Sequence, residues 1–133
     1  MPYFIERDKM KITLELKGKH KGMDYFVIFI DREMYGKSPF ESFYEFEKHR
    51  CGYVKVPEKH PFYEKHYDWI HENYDVEVHG GLTYSEKKIG SCNDSGWFIG
   101  FDCAHYGDTI ERCTEYYVKR ECINLINQMK GIK

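Results

Sequence analysis

Apolar and polar positions alternate along residues 11–17 (KITLELK), which puts Ile12, Leu14 and Leu16 on one side of an extended chain. Residues 24–30 (DYFVIFI) are continuously β-prone and bounded by polar turns, the pattern of a central strand. The polar stretch 18–22 between them predicts an N-terminal hairpin. Ser38-Pro39-Phe40-Glu41 carries the signature of a helix start, with Ser38 as cap, Pro39 in the first turn and Glu41 closing a capping box; the helix is expected to run to about His49. Residues 52–56 (GYVKV) return to strand, and Pro57 ends it.

The pattern is weaker in the second half. Residues 60–74 are aromatic and irregular, with room for one helical turn. Residues 76–79 read as a strand running into Gly80-Gly81, and residues 82–85 continue extended. Residues 86–96 form a polar loop, and residues 97–102 (WFIGFD) a strand. In residues 115–130, Val118, Cys122, Leu125, Ile126 and Met129 share one face of an amphipathic helix. Asp108 stands three residues before Glu111, so it is expected to cap a turn leading into that helix. The first two strands have no room for a crossover helix. The expected fold is therefore α+β: an antiparallel or mixed sheet with packed helices, including the C-terminal amphipathic one.

The length of 133 residues suits a single domain, 1–133. With 41% hydrophobic and 32% charged residues, a disordered or membrane-embedded chain is excluded. The longest apolar run, residues 25–30, is far short of the roughly 20 residues that span a bilayer. The N-terminus shows no apolar signal segment, so the expected location is cytoplasmic, with no membrane partner. The net charge of -2 and the mixed signs make nucleic acid an unlikely partner, and the lysines of residues 9–21 read as a solvated strand face. Cysteines at 51, 92, 103, 113 and 122 are odd in number and contain no CxxC pair, so free thiols are expected.

Aromatic residues are 17% of the chain, enough to supply stacking faces for a planar ligand as well as a core. Three segments concentrate the chemistry: 52–63 (GYVKVPEKHPFY), 78–85 (VHGGLTYS) and 97–108 (WFIGFDCAHYGD). In the second, Gly80 and Gly81 let the backbone turn sharply and present amides. Thr83 and Ser85 place hydroxyls on one side, and His79 adds an imidazole, a set suited to an anion such as phosphate. The alternative is a plain turn capped by its own hydroxyls. In the third, Asp102, His105 and Asp108 recur every three residues and would share a face on a helical turn. With His79 they have ligand chemistry for zinc, manganese or iron; equally, Asp102 could orient His105 as a general base, or each could be structural. Their spacing matches no established metal site, so neither metal nor cofactor is expected. Cys103 lies beside His105, but nothing marks it as an activated nucleophile. Tyr53, Tyr63, Tyr84 and Trp97 are candidates for stacking on a base. The expected ligand-binding set is Tyr53, His79, Gly80, Gly81, Thr83, Tyr84, Ser85, Trp97, Asp102, His105 and Asp108. Were the protein an enzyme, its catalytic residues would be His79, Asp102, His105 and Asp108.

These three segments resemble a family of small bacteriophage- and prophage-encoded proteins of unassigned function. The similarity covers residues 51–108, with a weaker match over 115–122 and none that is distinctive over 1–50. The resemblance implies a phage origin and no established activity. Phages deploy small proteins against host defences signalled by cyclic nucleotides or ADP-ribose derivatives. The expected function is therefore sequestration of a nucleotide-derived host immune signal. A hydrolase or phosphodiesterase degrading such a signal, and a protein inhibitor of a host defence enzyme, are the rivals. A homo-oligomer is compatible with all three, since a small domain can build a deep pocket between subunits.

Overall fold

The computed structural model describes residues 9–33, 48–90 and 94–132. Their elements are strands β1 (Lys9–His20), β2 (Met23–Glu33) and β3 (Lys48–Lys55), helix α1 (Tyr67–Asn73), strands β4 (Tyr84–Glu86) and β5 (Phe98–Asp102), and helix α2 (Glu115–Lys130). The strands form one sheet in the order β1-β2-β3-β5-β4, every pairing antiparallel. The fold is α+β, with α2 packed on one face of the sheet. The helix expected from Ser38 lies outside the described residues. Among the described residues no helix is long and apolar enough to cross a membrane.

The first hairpin is tighter than the polar stretch 18–22 suggests. Pairing runs to His20↔Met23, so Lys21 and Gly22 alone make the turn, both at positive φ (49° and 85°). That is the backbone hand of a type I′ turn, which matches strand twist. The alternation of β1 is also broken. A bulge between Leu14 and Leu16 pairs Leu14 with Ile28 but Leu16 with Val27. One extra residue reverses every side chain beyond it. Leu16 consequently joins the core under α2, whereas Ile12 and Leu14 remain about half exposed on the opposite face.

Alternation in the inner strands divides the apolar residues into two layers. Tyr25, Val27, Val54, Ile99 and Phe101 face α2, whose Val118, Cys122, Leu125, Ile126 and Met129 are all buried against them, the face its periodicity predicts. Phe26, Ile28, Cys51, Tyr53 and Phe98 form the second layer, closed in part by Ile89. Residues 76–79 are not a strand. The Gln128 side chain takes the Glu77 amide and donates back to its carbonyl, Asn124 donates to that same carbonyl, and Glu121 takes the His79 amide. Polar side chains of α2 satisfy its backbone in place of a neighbouring strand. Asp108 does not cap the turn leading into α2 either; Thr109 does, its hydroxyl accepting from the Arg112 amide, and Thr114 caps α2 itself, its hydroxyl accepting from the Tyr117 amide.

Candidate functional site

β5 ends at Asp102, and one more ladder bond, Cys103 N–H to Arg50 O at 2.9 Å, carries the extended backbone to Cys103. Strand parity turns Asp102 to the second-layer face and Cys103 to the α2 face, where it is buried. The chain then bends through a turn with Asp108 N–H on His105 O and Gly107 at φ 91°. Asp102, His105 and Asp108 therefore do not lie on a helical face. Arg50 fixes the segment that follows: it pairs with Glu15 at 2.8 Å and donates to the carbonyls of Ile110 and Cys113.

Two linked clusters result. In the first, Asp102 is held by the Thr83 hydroxyl at 2.8 Å and the Ala104 amide at 3.0 Å. The His105 imidazole stands 3.3 Å from Asp102 Oδ1. That contact is not a hydrogen bond, and His105 Nε2 is a buried nitrogen with no hydrogen-bond partner. Gly80, at φ 68°, permits this packing, because a Cβ there would fall 2.2 Å from His105 Nε2. In the second cluster, His79 Nε2 lies 2.9 and 3.0 Å from the two oxygens of Asp108, and His79 Nδ1 lies 2.8 Å from the Tyr117 hydroxyl. Asp108 also accepts from the His105 amide at 2.9 Å, which joins the clusters, and the two imidazole centroids are 6.0 Å apart.

Cys103 and Cys113 sit beside His79, with Cys113 Sγ 3.9 Å from its Nε2. Burial pushes both thiols above their ordinary pKa; the mutual contact and the charge of Asp108 add to the rise at Cys103. Both are protonated at neutral pH, which removes Cys103 as a ready nucleophile. The described cysteines, 51, 103, 113 and 122, are all free.

The expected phosphate cradle is spent on internal bonds. The Gly81 amide goes to Val78 O, the Thr83 amide to Gly100 O and the Thr83 hydroxyl to Asp102. The buried Ser85 hydroxyl accepts from the Tyr67 amide and so anchors α1. Asp102 and Asp108 stand against the two imidazoles and Glu121 holds the His79 amide, so carboxylates occupy the positions a bare anion would need. The expected stacking residues stand apart from this centre. Tyr53 is buried edge-to-face against Tyr84 (4.8 Å) in the second layer, and its ring covers Gly100. Trp97 donates its indole N–H to Lys65 O near α1, and Tyr63 borders a separate cleft beside Lys55 and Gly96. The structure thus unites His79, Gly80, Thr83, Asp102, His105 and Asp108, and places Tyr53, Tyr84, Ser85 and Trp97 elsewhere. Sequence reasoning missed Cys113, Tyr117 and Glu121.

Burial opposes ionisation of Asp108, but the hydrogen bonds from His79 and the His105 amide outweigh it and hold the carboxyl below the usual range. A depressed folded pKa adds stability that is complete above the unfolded value of about 3.9 and lost as pH falls through the folded one. Asp108→Asn is therefore expected to flatten the fall in stability below about pH 4. Urea midpoints measured across the acid range check this; equal slopes in both proteins would remove Asp108 from the acid transition.

No family model, curated protein or solved structure matches this chain.

Proposed function

We propose that this chain is a binding protein for a small nucleotide-derived molecule, held at the Asp102–His105 cluster. The observation that supports it is the unequal commitment of the two imidazoles. His79 has both ring nitrogens engaged. His105 is 37% exposed in its side chain, yet its Nε2 is buried and unpartnered. An unsatisfied buried polar atom costs about 1–3 kcal/mol. A ligand group that meets that nitrogen beside Asp102 displaces no hydrogen bond and relieves the cost. Asp102, already oriented by Thr83 and Ala104, suits hydroxyl or amine donors such as a ribose diol or a base edge. The carboxylates favour that end of a nucleotide over its phosphates.

The resemblance to phage-encoded proteins supplies the context: the ligand class is a host immune signal of the cyclic nucleotide or ADP-ribose type, and the action is sequestration. The test is calorimetry against a panel of cyclic dinucleotides, cyclic mononucleotides and ADP-ribose derivatives. His105→Ala is expected to weaken the best ligand roughly 2- to 12-fold, the worth of one hydrogen bond to a neutral group. The ligand should be recovered intact after heat denaturation. No binding tighter than about 10 μM anywhere in the panel, or full affinity in His105→Ala, would remove the assignment.

A second reading, hydrolysis of the same class of signal, draws on the chain Asp108–His79–Tyr117, in which a carboxylate orients an imidazole against a hydroxyl. Chromatography of the recovered ligand separates the two: cleavage products, lost in His79→Ala, would establish turnover.

A further inference from the structure

The thiols of Cys103 and Cys113 play no part in the ligand reading, yet they come from separate segments and meet at the same imidazole. Cys103 follows β5, Cys113 precedes α2, and His79 lies in the connection between α1 and β4. Their donor atoms, His79 Nε2 and the two Sγ, all lie within 4.8 Å of one another, and both cysteines are buried. We propose that His79, Cys103 and Cys113 form a tetrahedral zinc site, with Asp108 as the fourth ligand.

The geometry is close to what the metal requires. Zn–S bonds of about 2.3 Å and Zn–N bonds of about 2.0–2.1 Å at tetrahedral angles put N and S about 3.6 Å apart. The observed His79 Nε2 to Cys113 Sγ distance is 3.9 Å. Asp108 has both oxygens within 3.0 Å of the same nitrogen and needs only to open by a few tenths of an ångström to share a metal with it. Tyr117 supports the right tautomer. With Nδ1–H donated to the Tyr117 oxygen, 2.8 Å away, the Nε2 lone pair is free for a cation. Two sulfurs and an imidazole select a thiophilic ion over magnesium or calcium. On binding, the two thiol protons leave to solvent and the imidazole proton moves from Nε2 to Nδ1; no electron is transferred.

This arrangement differs from the metal set visible in the sequence. Asp102 and His105 are outside it, and the two cysteines, ten residues apart and not in a CxxC pair, are inside. It also gives these carboxylates a counter-charge. Metal alone tests the site, independently of the ligand reading.

The experiment is titration of the reduced, metal-stripped full chain with cobalt(II), followed by displacement with zinc. Expected are about one equivalent bound, visible bands of tetrahedral intensity and a thiolate-to-cobalt charge-transfer band, all abolished by zinc. Cys103→Ser and Cys113→Ser should each diminish the charge-transfer band, and His79→Ala should lose the tetrahedral spectrum. Cys51→Ala, on the other face of the sheet, should keep both. Tyr117→Phe should retain the spectrum but weaken zinc about 10- to 100-fold, as loss of a supporting hydrogen bond does. The unaltered protein alone decides the matter if a variant fails to fold. Absence of a charge-transfer band, or one that survives both cysteine changes, overturns the site. So does a Cys103–Cys113 disulfide forming readily in air from protein that takes up no cobalt when reduced.

Discussion

Phe101→Ala is expected to lower the stability of the fold by about 3–5 kcal/mol, the usual cost of emptying a buried aromatic position. Phe101 is 1% exposed and faces α2 from β5. Its ring occupies the space that a side chain on neighbouring β3 would need: a Cβ on Gly52 would lie 2.5 Å from Phe101 Cζ and 2.8 Å from Cys122 Sγ of α2. Gly52 and Phe101 are also register partners. Glycine is present there to admit the ring and to let α2 approach the sheet. Gly52→Ala should therefore cost about 1–3 kcal/mol by overpacking. Combined with Phe101→Leu, it should cost less than the sum of the two single changes, since the smaller side chain vacates the contested space. Urea denaturation of the unaltered protein, Gly52→Ala, Phe101→Leu and the double variant measures the coupling. Additivity within about 0.5 kcal/mol would mean that the ring and the new methyl do not compete.

Those same contacts set how much of the fold was legible in the sequence. The buried face of α2 was readable because its apolar residues recur at helical spacing, a local signal that packing only reinforces. The hairpin was readable from two β-prone runs around a glycine turn. The bulge at Leu14/Leu16 was not, because apolar alternation continues through it and only cross-strand pairing reveals the extra residue. Residues 76–79 look like a strand for a related reason. Their backbone partners are not a neighbouring strand but side chains of a helix, with Glu77 and Gln128 lying 51 residues apart in the chain.

The site divides along the same line. His79, Asp102, His105 and Asp108 were visible as an unusual density of ionisable groups near glycines. Their pairing was not, because it depends on strand parity at the end of β5 and on the turn around Gly107. Cys113 and Tyr117 stand 34 and 38 residues from His79, and no spacing rule links them to it. One signal was present. Tyr117, Glu121, Asn124 and Gln128 form a polar stripe along α2 at spacings of four, three and four, and every one of them bonds to residues 77–79. A polar stripe of two amides, a phenol and a carboxylate, recurring at helical spacing, marks a face that hydrogen-bonds to another segment of the chain.

Gly80→Ala is expected to weaken ligand binding about as much as His105→Ala while removing no functional group. Gly80 sits at φ 68°, where an L side chain costs about 1–2 kcal/mol, and its new Cβ would lie 2.2 Å from His105 Nε2 and 2.5 Å from Cδ2. Backbone cannot yield cheaply here. The Gly81 amide is tied to Val78 O at 2.8 Å, and the His79 amide to Glu121 at 2.8 Å. The imidazole yields instead, since its side chain is 37% exposed and its Nε2 has no hydrogen bond to lose. His105 is thus driven away from Asp102, and the cluster that holds the ligand is separated into two halves. Because His79, Cys103 and Cys113 keep their partners, cobalt uptake should be unchanged in the same variant. The check is a side-by-side measurement of ligand affinity, cobalt spectrum and urea midpoint. Loss of affinity with an intact cobalt spectrum fits a local displacement of His105. Retained affinity would show that the ligand does not depend on the Asp102–His105 arrangement. A variant that loses cobalt as well would mean that the connection holding His79 gave way before the imidazole did.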